Sequence, residues 1–268
     1  MTMTIAMTVR DKHNVRIFGQ GERELVFMHG FGCDQNVWRH MTPAFEDAYR
    51  IVQFDHVGAG QSDLAQYDER KYASLQGYAD DLITVVRELG LRQPVVIGHS
   101  VSAMIAVLAA VREPALFSRL VLLGPSPCYL NDGDYPGGFE RKDIDDLLAA
   151  MDSNFFGWSG MMAPVIMGNA ERPELAGELN DNFCRTNPAI ARHFARVTFL
   201  SDSREALTQL TIPSLIVQCS SDALVPLAVG DYLHRQLPDS TLSVLTASGH
   251  CPHMSNPAET VAVIKGWL

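Results

Sequence analysis

With 268 residues, 47% of them apolar and 19% charged, the chain has the make-up of a globular protein with a substantial core, not of a disordered or fibrous one. A formal net charge of −10 argues against a nucleic-acid partner, which needs clustered Lys and Arg. The opening MTMTIAMTVRDKHN lacks the pattern of a secretory leader, and no apolar run reaches the about 18 residues of a membrane span, so no membrane association is expected. Cys33, Cys128, Cys184, Cys219 and Cys251 are odd in number and form no C-x-x-C pair, which fits a reducing, cytoplasmic setting.

In chain order, VRIF (15–18) and LVFM (25–28) predict the first strands, and a glycine-rich HGFGCDQNVW follows the second. IVQF (51–54) predicts a third strand, leading into DHVGAGQS. From Ser74 to Gly90 the residues Leu75, Tyr78, Leu82, Val85, Val86 and Leu89 form one apolar helical stripe that stops at glycine. VVIG (95–98) runs through His99-Ser100-Val101 into an Ala-rich helix, and LVLL (120–123) follows. These runs are continuous rather than alternating, as in parallel strands buried on both faces.

After Gly124 the alternation stops. Between Tyr129 and Leu200 there is no strand pattern, while Ile144, Leu147, Leu148, Met151 and Phe155 keep helical spacing. Further stripes contain Trp158, Met161 and Val165, then Ile190, Phe194 and Val197, so four helices are predicted. Strands resume with SLIVQ (214–218) and LSVL (242–245). The pattern predicts an α/β fold, a mostly parallel central sheet with helices on both faces. Its core comprises 1–128 and 201–268, and a helical segment, 129–200, is inserted over it.

The strand-to-helix turn at Gly98-His99-Ser100-Val101-Ser102 matches G-x-S-x-G except at its last position, where serine replaces glycine. Such a turn presents a serine oxygen at the top of the sheet; the competing reading of Ser100 is a helix cap. A serine hydroxyl needs a base, and the base an orienting acid. SLIVQC leads into SSDALVP, placing Asp222 after a strand, and LSVL into ASGHCPH, placing His250 after the next. The order Ser100, Asp222, His250 suits a nucleophile, acid and base at the carboxyl ends of strands. Alone, Asp222 reads equally as a turn cap and His250 as a core histidine; His253 is the rival base. The backbone N–H groups of Val101 and Phe31 are the candidate oxyanion donors. Cys251, beside His250, reads as an inert neighbour more readily than as a reactive thiol.

HGFGCDQNVW, GHSVSAMI, GPSPCYLND, GGFE, SDALVP and GHCPHMS together resemble the α/β-hydrolase superfamily, in particular the bacterial RsbQ proteins and the plant karrikin and strigolactone receptors. The resemblance implies an α/β-hydrolase fold with a V-shaped lid of four helices. It also implies the same triad and the same oxyanion donors. Under such a lid, Phe31, Phe139, Phe155, Trp158, Phe194 and Val197 are candidates to line an apolar pocket for a small hydrophobic ester, lactone or similar ligand. Two functions follow: a serine hydrolase working through an acyl-enzyme, and a signalling module in which ligand binding or slow hydrolysis recruits a regulatory protein partner. A perhydrolase or carbon–carbon bond hydrolase uses the same triad. No P-loop, dinucleotide fingerprint or H-E-x-x-H occurs, so neither cofactor nor metal is expected.

Overall fold

A computed structural model describes residues 7–268; the opening MTMTIA, part of the segment behind the expectation of no leader, lies outside the described residues. The strands are β1 (Arg16–Phe18), β2 (Arg23–Met28), β3 (Tyr49–Phe54), β4 (Val95–His99), β5 (Arg119–Leu123), β6 (Ser214–Ser221) and β7 (Ser240–Ser248). They form one seven-stranded sheet in the order β1-β3-β2-β4-β5-β6-β7. Within it β1 pairs antiparallel with β3, and the other pairs are parallel. The continuous apolar runs are buried as two-sided strands should be: Leu25 to Met28, Val96, Ile97 and Leu120 to Leu123 have no exposed surface. The seventh strand is longer than the LSVL run, and as an edge strand it leaves Val244 exposed.

The α-helices are α1 (Val9–Lys12), α2 (Leu75–Glu88), α3 (Val101–Arg112), α4 (Arg141–Ser153), α5 (Phe155–Met167), α6 (Pro173–Arg185), α7 (Pro188–Phe199), α8 (Arg204–Leu207), α9 (Leu227–Gln236), α10 (Pro252–Ser255) and α11 (Pro257–Trp267). The stripe of α2 packs on α3, whose residues Val101 to Ala110 are all buried. That depth explains why α3 is apolar all round.

Between β5 and β6 the chain leaves the sheet and makes α4 to α7. The outgoing and returning segments meet in an antiparallel bridge between Cys128 and Asp202, and Ser203 N–H donates to the Pro127 carbonyl at 2.7 Å. One stripe turns out differently from its expectation. Met161 and Val165 are 66% and 49% exposed, whereas Phe155, Trp158, Ala163 and Ile166 face inward. The sequence of α5, FFGWSGMMAPVIM, is apolar on every side, so periodicity alone could not choose its buried face.

Candidate active site

At the end of β4 the chain must reverse into α3 within one residue. Ser100 takes φ +56° and ψ −123°, a strained conformation for any residue with a Cβ. The turn is tight: a side chain at Gly98 would meet the Ser102 carbonyl oxygen at 2.5 Å. The strain holds the Ser100 hydroxyl clear of the backbone, where it donates to Nε2 of His250 at 2.8 Å. On the other side of the ring, Nδ1–H of His250 donates to Asp222 Oδ2 at 2.7 Å.

Asp222 follows β6, and its other oxygen, Oδ1, accepts the N–H groups of Leu224 and Val225 at 2.8 and 3.2 Å. It thus caps a turn and orients a base at once. Its side chain is 1% exposed. Burial disfavours the charged carboxylate, but the His250 ring and the two N–H donors outweigh it and hold its pKa below the ordinary value.

The loop carrying His250 is fastened to the inserted helices. Gly249 has φ +85°, and a Cβ there would lie 1.8 Å from the Met167 carbonyl oxygen. His250 N–H donates to the Ile166 carbonyl at 2.8 Å. Nδ2 of Asn169 bridges the Met167 and Ser248 carbonyls at 2.6 and 3.0 Å. The C-terminal turn of α5 is therefore locked against the histidine loop. His99, wholly buried, donates Nε2–H to the His250 carbonyl at 2.9 Å, and burial with His250 nearby pushes its pKa down to about 3.

His253 makes no bond to Ser100. Its fully buried ring packs at a tilt between two others, with centroids 4.7 Å from Trp38 and 4.3 Å from His99, and burial drives its pKa well below the ordinary value.

Ser102, the departure from G-x-S-x-G, is wholly buried and joined to the loop that follows β2. Its hydroxyl donates to the His29 carbonyl at 2.5 Å and accepts Nε2–H of His56 at 2.7 Å. His56 N–H donates in turn to Nε2 of His29, at 3.2 Å. Burial holds His56 neutral, with its pKa well below the ordinary value, so the imidazole remains a single N–H donor there. The network ties His29, two residues before Phe31, to the first turn of α3. The backbone N–H groups of Phe31 and Val101 have no protein acceptor among the described residues.

Ser100 and His250 border a cavity of about 30 Å³, space for one or two water-sized groups. Of the six residues expected to line it, Phe31 and Trp158 do. Phe155, Phe139, Phe194 and Val197 do not. Phe155 stacks behind Trp158, Phe139 packs against Tyr129, and Phe194 stacks on Tyr78 with centroids 4.5 Å apart. Val197 faces an outer groove beside Leu75 and His193. Helical spacing identifies a buried face but not which of its residues reach a cavity. The wall is completed instead by Tyr129, Leu147, Met162, Leu179, Phe183 and Phe199, among others. Burial raises the pKa of Tyr129, in this wall, to about 12.

Cys33 and Cys251 also border the cavity. All five cysteines are free thiols. Burial pushes Cys33 up to about 12 and Cys251 well above its ordinary pKa, so neither is poised as a thiolate. Among the described residues no three His, Cys, Asp or Glu side chains converge to hold a metal, and no helix is long and apolar enough to cross a membrane.

The sequence pattern of the alpha/beta hydrolase family matches residues 25–263. A probable esterase of Oryza sativa subsp. japonica is 42% identical over 258 residues, 96% of this chain and 95% of that protein. The karrikin insensitive 2 receptor CA of Petunia hybrida is 40% identical, covering 96% of this chain and 95% of its own. Among solved structures, a hydrolase from Oleispira antarctica superposes with a TM-score of 0.95 at 41% identity, over 97% of this chain and 95% of that one.

Proposed function

The chain belongs to the alpha/beta hydrolase family, and on that premise we propose that Ser100, Asp222 and His250 are the catalytic triad of a serine hydrolase acting on a small ester or lactone. The observation that carries the assignment is the unbroken hydrogen-bonded line from Ser100 through His250 to Asp222, at 2.8 and 2.7 Å.

Ser100 Oγ attacks the substrate carbonyl while its proton passes to His250 Nε2. Asp222 holds the imidazole with Nδ1–H toward itself and stabilises the imidazolium that forms. The N–H groups of Phe31 and Val101 receive the negative oxygen of the tetrahedral intermediate, a contribution of about 3 kcal/mol per donor. His250 then protonates the leaving alcohol, and water activated by the same ring releases the acid from Ser100. The small cavity favours short acyl groups; larger ones require its aromatic wall to move. Residues 129–200 serve as the lid of this site, over a core of 1–128 and 201–268.

A ligand-sensing role belongs to the proposal because relatives over nearly the whole chain are named as receptors. In that role the lid, fastened to the His250 loop through Asn169, reports occupancy to a regulatory partner. The five free thiols accord with a cytoplasmic location.

Steady-state hydrolysis of p-nitrophenyl acetate tests the assignment. Wild type should turn over, and Ser100→Ala should lose at least about a thousandfold in kcat. Equal activity of the two would reject it.

A further inference from the structure

Two polar groups in the cavity wall take no part in the mechanism above. Thr198 on α7 and Trp158 on α5 both border the space beside Ser100, and they are 2% and 3% exposed. Neither Thr198 Oγ1 nor Trp158 Nε1 has a hydrogen-bond partner in the protein among the described residues. A helical threonine ordinarily satisfies its hydroxyl on a carbonyl one turn back, as Thr84 does on Asp80 and Thr260 on Asn256. Thr198 makes no such bond.

Buried polar groups left unpaired are destabilising, so beside a cavity they favour an occupant that can pair with them. The chemistry of the pair fixes the kind of atom. An indole N–H can only donate, and a threonine hydroxyl can donate or accept. A group that satisfies both is therefore a hydrogen-bond acceptor. Neighbouring wall residues Leu147, Met162, Leu179 and Phe183 are apolar, so a hydrocarbon acyl chain would leave both donors unpaired.

We propose that Thr198 and Trp158 form a polar subsite that takes an oxygen acceptor of the substrate other than the scissile carbonyl. The substrate class is then a small ester or lactone carrying an ether or keto oxygen, not a simple alkanoate. This deepens the hydrolase reading of the same site and rests on it.

The test compares near-isosteric esters within each enzyme: p-nitrophenyl methoxyacetate against butanoate, and p-nitrophenyl methoxypropanoate against pentanoate. The readout is the methoxy-to-alkyl ratio of kcat/KM. Intrinsic reactivity of the esters is the same for every variant, and reading a ratio within one preparation cancels any difference in folded fraction. Thr198→Val replaces the hydroxyl with a methyl of similar size and should lower the ratio about tenfold for at least one pair. Thr198→Ser keeps the hydroxyl and should hold the ratio within about threefold of wild type. Active enzymes whose ratios do not move in Thr198→Val, or fall equally in Thr198→Ser, would overturn the subsite alone. A wild type that hydrolyses none of the four esters would overturn the hydrolase reading and the subsite with it.

Discussion

Ser102 donates its hydroxyl to the carbonyl of His29 at 2.5 Å, joining the first turn of the helix after the nucleophile to the loop that carries Phe31. The usual glycine at this position cannot make that bond. With His56 as the second partner, the hydroxyl fixes the spacing between the two proposed oxyanion donors. Replacing Ser102 with Gly should therefore lower kcat about tenfold while changing KM less than about threefold, because the interaction matters most when charge develops on the carbonyl oxygen. Steady-state kinetics on p-nitrophenyl acetate decide it, and an unchanged kcat would show that the bond only packs the interior.

Asn169 places one amide group across the Met167 and Ser248 carbonyls, where α5 meets the His250 loop. Asn169→Ala removes both bonds, each worth about 1 kcal/mol. We expect kcat to fall several-fold and Tm to drop by a few degrees. A lower Tm with undiminished turnover would confine the residue to holding the fold.

Burial keeps His99 and His253 neutral, with His99 held at about 3. In the unfolded chain each would take up a proton near pH 6.5. Between those values the unfolded state binds more protons than the folded one. Stability is thus fully present above about pH 6.5 and declines as pH falls, by up to about 1.4 kcal/mol per pH unit for His99 alone. Urea midpoints measured from pH 7.5 down to 5 should fall in step, and His253→Phe should make the slope shallower. A flat profile would contradict the buried, neutral state of these rings.

Cys184 is the exposed thiol, whereas Cys33, Cys219 and Cys251 are buried with raised pKa values. Iodoacetamide at neutral pH should modify Cys184 first and leave esterase activity intact. Early modification of Cys251 with loss of turnover would show the histidine loop to be open to solvent.

Much of this arrangement is written in local patterns. The buried strands announce themselves as continuous aliphatic runs, and the loops after β4, β6 and β7 carry Ser100, Asp222 and His250, which the fold brings together. What the chain order does not reveal is depth. Phe31 and Trp158 reach the cavity, but Phe155 and Phe194, on equally apolar helical faces, stop one layer behind it. The α5 helix is apolar on all sides, so nothing in its sequence distinguishes inward Trp158 from outward Met161. Asn169 gives no signal either, because its partners are backbone carbonyls of residues 167 and 248. Ser102 did leave a mark, as a deviation from the expected glycine, but its partners His29 and His56 come from two other loops.

The central claim is that Ser100 becomes acylated. Rapid quenching of a reaction with p-nitrophenyl acetate, followed by mass spectrometry of the proteolysed protein, measures this directly. An acetyl group on the peptide containing Ser100 in wild type, and none on that peptide in Ser100→Ala, is the predicted result. Turnover that proceeds with Ser100 unmodified, or acetylation that persists on another residue in an equally active Ser100→Ala, would contradict it.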